Sequence, residues 1–263
     1  METPRQPTEA RLRTGDVGYH GWRTRAGVGW GIHIFTASSL ICALAGLLAA
    51  ADGYPRAALL WIMVSQLIDG LDGPAARAFQ VSVSVPRVDG NILDLIIDYI
   101  AFVLVPALFL YRFHLVPKEL RGVAICLILL SALYCFARTD LQDDESYFNG
   151  FPGAWNLVVN GMFLMQFSKE LNFAAVVLFA FLTFAPIKVV HPVRVKELRK
   201  ITLPIIVVWL GFMVVFTIWD PWHTPLYAKA VIMGGVLYLA FLSTRKTILV
   251  RRAERAAEAA AAR

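Results

Sequence analysis

The sequence has few charged residues and few cysteines, and both shortages narrow the classes of protein that it can encode. Charged residues make up only 17% of its 263 residues, whereas hydrophobic residues make up 58%. A soluble domain of this length is less apolar. The three cysteines, Cys42, Cys126 and Cys135, lie inside apolar blocks and form no CxxC pair. We therefore expect core cysteines, with no disulfide framework and no zinc site.

Two further absences concern targeting and repetition. Residues 1–28 are polar and rich in arginine, without a short apolar region and a small-residue cleavage site, so we expect no cleavable signal peptide. No repeat of about 20–50 residues is evident, which disfavours a solenoid and weighs mildly against an inverted-repeat transporter.

Long apolar blocks dominate what is present. Blocks of about 20 apolar residues are typical of transmembrane helices, which satisfy all their backbone polar groups internally. The sequence therefore predicts an all-α, polytopic transmembrane helical bundle between a cytosolic N-terminal segment, 1–28, and a cytosolic helical tail, 247–263. The predicted transmembrane domain, 29–246, holds about eight spans, at residues 29–51, 56–78, 90–111, 119–137, 153–168, 171–190, 201–219 and 226–246.

The distribution of basic residues predicts the orientation. With the N-terminus in the cytosol, about 17 lysines and arginines lie inside and about 6 outside, which places both termini in the cytosol. The net charge of +6 comes from residues at the ends of apolar blocks. Topology and anionic lipid headgroups therefore explain it better than nucleic acid, and we expect no nucleic-acid partner.

Four aspartates mark the cytosolic ends of the second and third predicted spans. Asp69 and Asp72 are three residues apart and Asp94 and Asp98 are four apart, so each pair shares a helix face. The two helix ends face each other across one short loop, 79–89.

Small residues and one arginine accompany these carboxylates. Gly73, Ala76 and Gly90 each lie one helical turn from an aspartate, which lets a bulky ligand or the neighbouring helix come close. Arg77 lies two turns from Asp69 on nearly the same face and can offer a planar cation to a phosphate.

The cost of burying such a cluster predicts a metal site. One carboxylate at membrane depth costs about 2.5–3.5 kcal/mol on insertion scales, and four facing carboxylates also repel one another. Divalent cations would neutralise them, and oxygen ligands favour Mg²⁺ or Mn²⁺. Two carboxylate pairs suit two ions that clamp a diphosphate. A chance acidic run at the helix boundary and an ion pathway of a transporter are the alternatives.

Residues 69–98 resemble the signature of the CDP-alcohol phosphotransferase family. Its order is Asp, two residues, Asp-Gly, two residues, Ala-Arg, a spacer, Gly, three residues, Asp, three residues, Asp, and every fixed position is present. The spacer, 78–89, is longer than usual in the family, and the predicted spans are more numerous. Both departures resemble the bacterial phosphatidylcholine synthase branch, as do segments 147–156 and 191–194.

The resemblance implies an activity, partners and a location. It implies transfer of the phosphatidyl group from CDP-diacylglycerol to choline, with release of CMP, by a homodimer in the bacterial inner membrane with its active site facing the cytosol. Serine is the alternative acceptor. The alternative from a different functional class is an ion-coupled membrane transporter.

The resemblance also implies roles for individual residues. Asp69, Asp72 and Asp94 would bind the metals with Asp98 at their edge, and Asp98 would be the catalytic base. The CDP-binding candidates are Asp69, Gly73, Ala76, Arg77 and Gly90, with Thr36 and Ser39 of the first span as weaker candidates.

Choline needs aromatic faces and nearby anions, because its quaternary ammonium has no N–H donor. The loop before the fifth span and the start of that span supply candidates, namely Asp144, Glu145, Tyr147, Phe148 and Trp155. A solvated acidic loop followed by interfacial aromatic residues explains the same pattern.

Three basic or imidazole side chains remain open to two interpretations. His33 in the first span is either a hydrogen-bonded packing residue or a ligand. His191 and Arg194 are candidates for a lipid phosphate or headgroup, although positive-inside topology alone also explains Arg194.

Overall fold

The structure, a computed structural model, describes residues 19–140, 147–190 and 199–261. Helices make up most of it: α1 Tyr19–Ala51, α2 Pro55–Ala78, α3 Val81–Ser84, α4 Gly90–Tyr99, α5 Val105–Arg112, α6 Arg121–Ala137, α7 Trp155–Met165, α8 Lys169–Leu182, α9 Arg199–Trp219 and α10 Leu226–Ala261. A π-helical segment, Ile100–Leu104, joins α4 to α5, and a 3₁₀ turn, Lys118–Leu120, precedes α6. Two short strands, β1 Tyr147–Asn149 and β2 Lys188–Val190, complete it.

The predicted helical membrane bundle is confirmed. Within the part of the chain that the structure describes, five helical stretches are long and apolar enough to cross a membrane, namely Ala26–Ala51, Gly90–Arg112, Lys118–Ala137, Arg199–Trp219 and Leu226–Ala260. Each coincides with a predicted span. The other three predicted spans correspond to α2 and to the shorter helices α7 and α8, of 11 and 14 residues.

The prediction of one helix over 171–190 is wrong at its C-terminal end. Helix α8 stops at Leu182, and residues 188–190 form strand β2. Pro186 explains the stop, because proline has no N–H for the helix and disfavours helical geometry in the preceding residue. The strands were also not expected in an all-α chain.

The two strands join loops that are far apart in sequence. Strand β1 pairs antiparallel with β2, with Tyr147 opposite Val190 and Asn149 opposite Lys188. Gly150 follows β1 with a φ of +89°, and a Cβ there would overlap the carbonyl oxygen of Thr183. Only glycine fits this close approach.

The apolar stretch Gly90–Arg112 is interrupted by the π-helical segment. The Val105 N–H donates to the Ile100 carbonyl, five residues back. Pro106 follows at once and has no N–H to donate, which accounts for a local change in the helical ladder.

Helices α1 and α2 pack as an antiparallel pair. The Ser39 and Ser65 hydroxyls lie 2.6 Å apart and are both buried. A Cβ at Gly46 would lie 3.3 Å from the Ala58 carbonyl oxygen, so the glycine allows close packing. This pair holds the C-terminal half of α2, which carries two of the aspartates, against α1.

The largest core cluster lies among α5, α6, α7 and α8. Its fully buried side chains include Trp155, Phe109 and Ile128. Phe151 and Phe179 pack against Trp155, with ring centroids 5.3 Å and 6.4 Å from it. This cluster anchors α7 and α8, which are too short to be held by membrane burial alone.

Candidate active site

The facing ends of α2 and α4 bring three carboxylates together. Asp69, Asp94 and Asp98 each offer one oxygen atom, and these oxygens lie within 4.8 Å of one another. All three side chains are partly buried. Helix α4 begins at Gly90 because the Asp89 carboxylate caps it, accepting from the Asn91 and Ile92 N–H groups.

Asp72 lies beside this cluster and is the most buried of the four aspartates. It is only 4% exposed, and its Oδ2 has no hydrogen-bond partner among the described residues. Its carboxylate hydrogen-bonds to the side chain of Thr36 on α1 and to the backbone of Gly73. Helix α1 is therefore part of the site.

The chemistry of this donor set fits a hard divalent cation. Ionised carboxylates are acceptors only, so a cluster of them cannot satisfy itself by hydrogen bonds. The unpartnered Oδ2 of Asp72 adds a further acceptor in a buried position. Oxygen-only sites favour Mg²⁺ or Mn²⁺ over zinc or copper.

The last turns of α2 carry the other motif residues. Gly73 and Ala76 are partly buried, whereas Arg77 is exposed in the final turn of the helix. Arg77 therefore lies at the exposed rim of the carboxylate cluster, where its side chain is accessible.

Two residues of α1 behave differently from Thr36. Ser39 bonds to Ser65 on α2, one helical turn before Asp69, and so connects the two helices. His33 packs against the first residue of α4: a Cβ at Gly90 would lie 3.3 Å from the His33 Cε1 atom.

Comparison with known proteins identifies the family. No family model matches the chain. A phosphatidylcholine synthase of Pseudomonas aeruginosa is 40% identical over 181 residues, which cover 69% of this chain and 76% of the relative. Phosphatidylcholine synthases of Brucella melitensis and Borreliella burgdorferi are 35% and 37% identical, over 80% and 81% of this chain and 76% and 91% of theirs.

The chain belongs to the phosphatidylcholine synthase family. Its resemblance to the phosphotransferase signature, drawn from residues 69–98, is thereby confirmed at the level of family. The enzyme class follows from the same relatives, which cover most of the chain.

For a phosphatidylcholine synthase, the positions of the aromatic candidates for the choline pocket matter. Tyr147 is 4% exposed, and the Lys246 ammonium lies over its ring, 4.7 Å from the centroid. Phe148 is partly buried in the same strand. Trp155 is fully buried in the core cluster, so its ring is closed to a soluble ligand in this structure. Asp144 and Glu145 lie outside the described residues, as do His191 and Arg194.

A polar network beside β1 was missed by sequence reasoning. The Arg138 guanidinium donates to both oxygens of Asp140, at 2.8 and 2.7 Å, and to the Asn149 carbonyl. The bond from Arg138 holds the pKa of the Asp140 carboxyl below its usual range. Lys188 donates to the Asn149 side chain at 2.8 Å. From the sequence, Arg138 indicated only the orientation of the chain in the membrane. No pattern in the neighbouring residues predicts that its guanidinium donates to the Asn149 carbonyl.

Proposed function

We propose that this chain transfers the phosphatidyl group of CDP-diacylglycerol to choline, forming phosphatidylcholine and CMP. The observation that carries the proposal is the cluster of Asp69, Asp94 and Asp98, with oxygens within 4.8 Å, in a chain of the phosphatidylcholine synthase family. Paired carboxylates on facing helices suit chemistry on a diphosphate.

Metal dependence is part of the proposal. Asp69, Asp72, Asp94 and Asp98 would hold Mg²⁺ or Mn²⁺, with two ions expected from four carboxylates. When bound, the ions would offset the charge of the diphosphate and of the departing CMP.

Asp98 is the proposed catalytic base. The choline hydroxyl oxygen forms a bond to the lipid-side phosphorus, and the bond from that phosphorus to the CMP oxygen breaks. The hydroxyl proton passes to the Asp98 carboxylate, and CMP carries away the negative charge. No covalent intermediate on the enzyme is needed, so the protein contributes mainly positioning and electrostatics.

The remaining candidates are assigned to the substrates. Arg77 at the rim and Asp69 would hold the CDP portion, with Gly73, Ala76 and Gly90 leaving room for it and Thr36 and Ser39 supporting it from α1. Tyr147 and Phe148 remain the choline candidates. Trp155 would act only through packing, whereas Asp144, Glu145, His191 and Arg194 keep their predicted roles toward choline and the lipid headgroup.

The proposed setting is the bacterial inner membrane. The carboxylate cluster would face the cytosol, where both CDP-diacylglycerol and choline are accessible, and the enzyme would act as a homodimer. The basic residues at the same end of the bundle support this orientation.

The direct test uses the purified full-length chain in detergent with CDP-diacylglycerol and Mn²⁺, and choline or serine added separately. We expect CMP release and phosphatidylcholine formation with choline alone, and loss of both on chelation of the metal. Asp98→Asn should abolish turnover. Asp220→Asn, the same change at the opposite end of the bundle, is the matched control and should retain it.

Other outcomes separate the alternatives. CMP release with serine alone would keep the active site and replace the acceptor. A folded protein that releases no CMP with either alcohol would contradict the proposal and return weight to a transporter.

A further inference from the structure

His33 is a buried imidazole whose outer nitrogen has no partner. The side chain is 7% exposed, and its Nε2 makes no hydrogen bond with any residue that the structure describes. An unpaired polar atom in a buried position costs free energy, and so it calls for an explanation. A histidine that served only as a packing residue would be expected to satisfy this nitrogen within the protein.

The ring is held from two sides. A Cβ at Gly90 would lie 3.3 Å from Cε1, so the imidazole occupies the space that this glycine leaves open. On α1 itself, Trp30 makes an edge contact with the ring, with centroids 6.2 Å apart and planes at 73°. The orientation of Nε2 is therefore fixed by packing, without a hydrogen bond.

The position of His33 relates it to the carboxylate cluster. Thr36, which bonds to Asp72, lies one turn further along α1 on the same face. Gly90 is the first residue of α4, and Asp94 lies one turn further along that helix. The imidazole thus lies at the cytosolic entrance of the cluster, one turn nearer the cytosol than Thr36 and Asp94.

The chemistry of the substrates indicates which of them can use this nitrogen. Acyl chains offer no hydrogen bond, the ammonium of choline has no N–H donor, and the choline hydroxyl is the group that we propose gives its proton to Asp98. The nucleotide half of CDP-diacylglycerol carries hydroxyl, amino, carbonyl and phosphate groups and approaches from the cytosolic end.

We infer that His33 is a specificity-determining residue whose Nε2 hydrogen-bonds to the CDP half of the donor lipid, with the imidazole filling part of the space beside Gly90. This inference rests on the proposed function. It adds a residue outside the aspartate motif to the machinery of that reaction.

The test compares His33→Gln, His33→Asn and His33→Phe in the full-length chain. The glutamine amide reaches about as far as Nε2, the asparagine amide only as far as Nδ1, and phenylalanine fills the ring volume without a polar atom. The readouts are the affinity for CMP, measured by calorimetry with Mn²⁺, the KM for each substrate, and the thermal unfolding temperature.

We expect His33→Phe to unfold at the same or a higher temperature than the wild type, because the unpaired nitrogen is gone. Its Kd for CMP and its KM for CDP-diacylglycerol should rise about tenfold, as expected for loss of one hydrogen bond in a dry site. The KM for choline should not change. His33→Gln should retain most of the CMP affinity, and His33→Asn should not.

A second variant covers the case in which His33→Phe does not fold. In Gly90→Ala the added Cβ would lie 3.3 Å from the His33 Cε1 atom, so the ring must shift by a few tenths of an ångström, and CMP binding should weaken. Gly122→Ala, near the start of α6 with no atom within 4 Å of an added Cβ, is its control and should bind CMP normally.

Wild-type CMP affinity in folded His33→Phe, or in Gly90→Ala if the first variant fails, would overturn the inference and leave His33 a packing residue. A change in the choline KM alone would also overturn it. Failure of the proposed function is distinguishable, since the wild-type chain would then release no CMP at all.

Discussion

Asp72 differs from its three neighbours in what surrounds it. Asp69, Asp94 and Asp98 face one another. Asp72 is nearly inaccessible, and its carboxylate accepts a hydrogen bond from the Thr36 side chain of α1. A buried carboxylate with one side-chain hydrogen bond depends strongly on that bond, because water cannot replace it.

Thr36→Val keeps the shape of the side chain and removes its hydroxyl. Hydrogen bonds to charged groups contribute about 1.5–3 kcal/mol, so kcat/KM for CDP-diacylglycerol should fall about ten- to a hundredfold. Steady-state CMP release measures the effect. Thr36→Ser keeps the hydroxyl and should stay near the wild type; equal losses in both variants would show that the bond to Asp72 is not the cause.

For single residues, the sequence predicted the spacing of the carboxylates, but it did not predict which side chains form hydrogen bonds with each other. The helical period and the short loop predicted that Asp69 and Asp94 would approach each other, and they do. The bond from Thr36 to Asp72 could not be read from either residue alone, because it depends on how α1 and α2 pack. For His33 both interpretations stayed open, since the missing partner of Nε2 is visible only in the folded chain.

Among the helices, the contact between α9 and α10 depends on one glycine. The Trp209 indole is 5% exposed and lies against Gly235, and its Nε1 donates to the Ile232 carbonyl at 2.9 Å. A Cβ at Gly235 would overlap the indole ring, whereas one at Gly234 would meet no atom within 4 Å.

Gly235→Ala should therefore destabilise the bundle by about 1–3 kcal/mol through overpacking. Gly234→Ala changes the adjacent residue in the same way, and by helix propensity should be neutral or stabilising by up to about 1 kcal/mol. Thermal unfolding of both variants in the same detergent measures the difference. Equal stability of the two variants would mean that Trp209 moves aside without cost.

Element types were predictable from the apolar blocks, and element ends less so. Pro186 explains why α8 ends at Leu182, and that signal was available in the sequence. The π-helical segment before Pro106 was not predictable, because a proline in an apolar block is compatible with several local rearrangements. The pairing of β1 with β2 is long-range and leaves no local pattern over three residues.

The whole molecule is polarised along the direction of its helices. The carboxylates lie at one end, and the hydrogen-bonded pair of Asp220 and His223 lies at the other, with Nδ1 and Oδ2 2.8 Å apart. Helix α10 has 36 residues and is about 54 Å long, well beyond the hydrocarbon core of about 30 Å. Its C-terminal part, which is exposed and rich in arginine, must therefore project from the membrane.

This polarity can be tested by labelling single cysteines with a membrane-impermeant maleimide, after Cys42, Cys126 and Cys135 are replaced by alanine. Both target positions, Ala257 in the tail and His223 at the other end, are exposed. In spheroplasts we expect His223→Cys to react and Ala257→Cys to react only after permeabilisation, because the excess of basic residues lies at the tail end. The reverse pattern would place the carboxylate cluster outside the cytosol.

The pairing of β1 with β2 has a consequence for how the chain enters the membrane. The two strands bracket α7 and α8, whose lengths of about 17 and 21 Å are each less than the hydrocarbon thickness. Each helix is therefore too short to insert across the membrane by itself during synthesis. We expect them to enter as one hairpin, late in biogenesis, when β2 has been made and can close the base of the hairpin against β1.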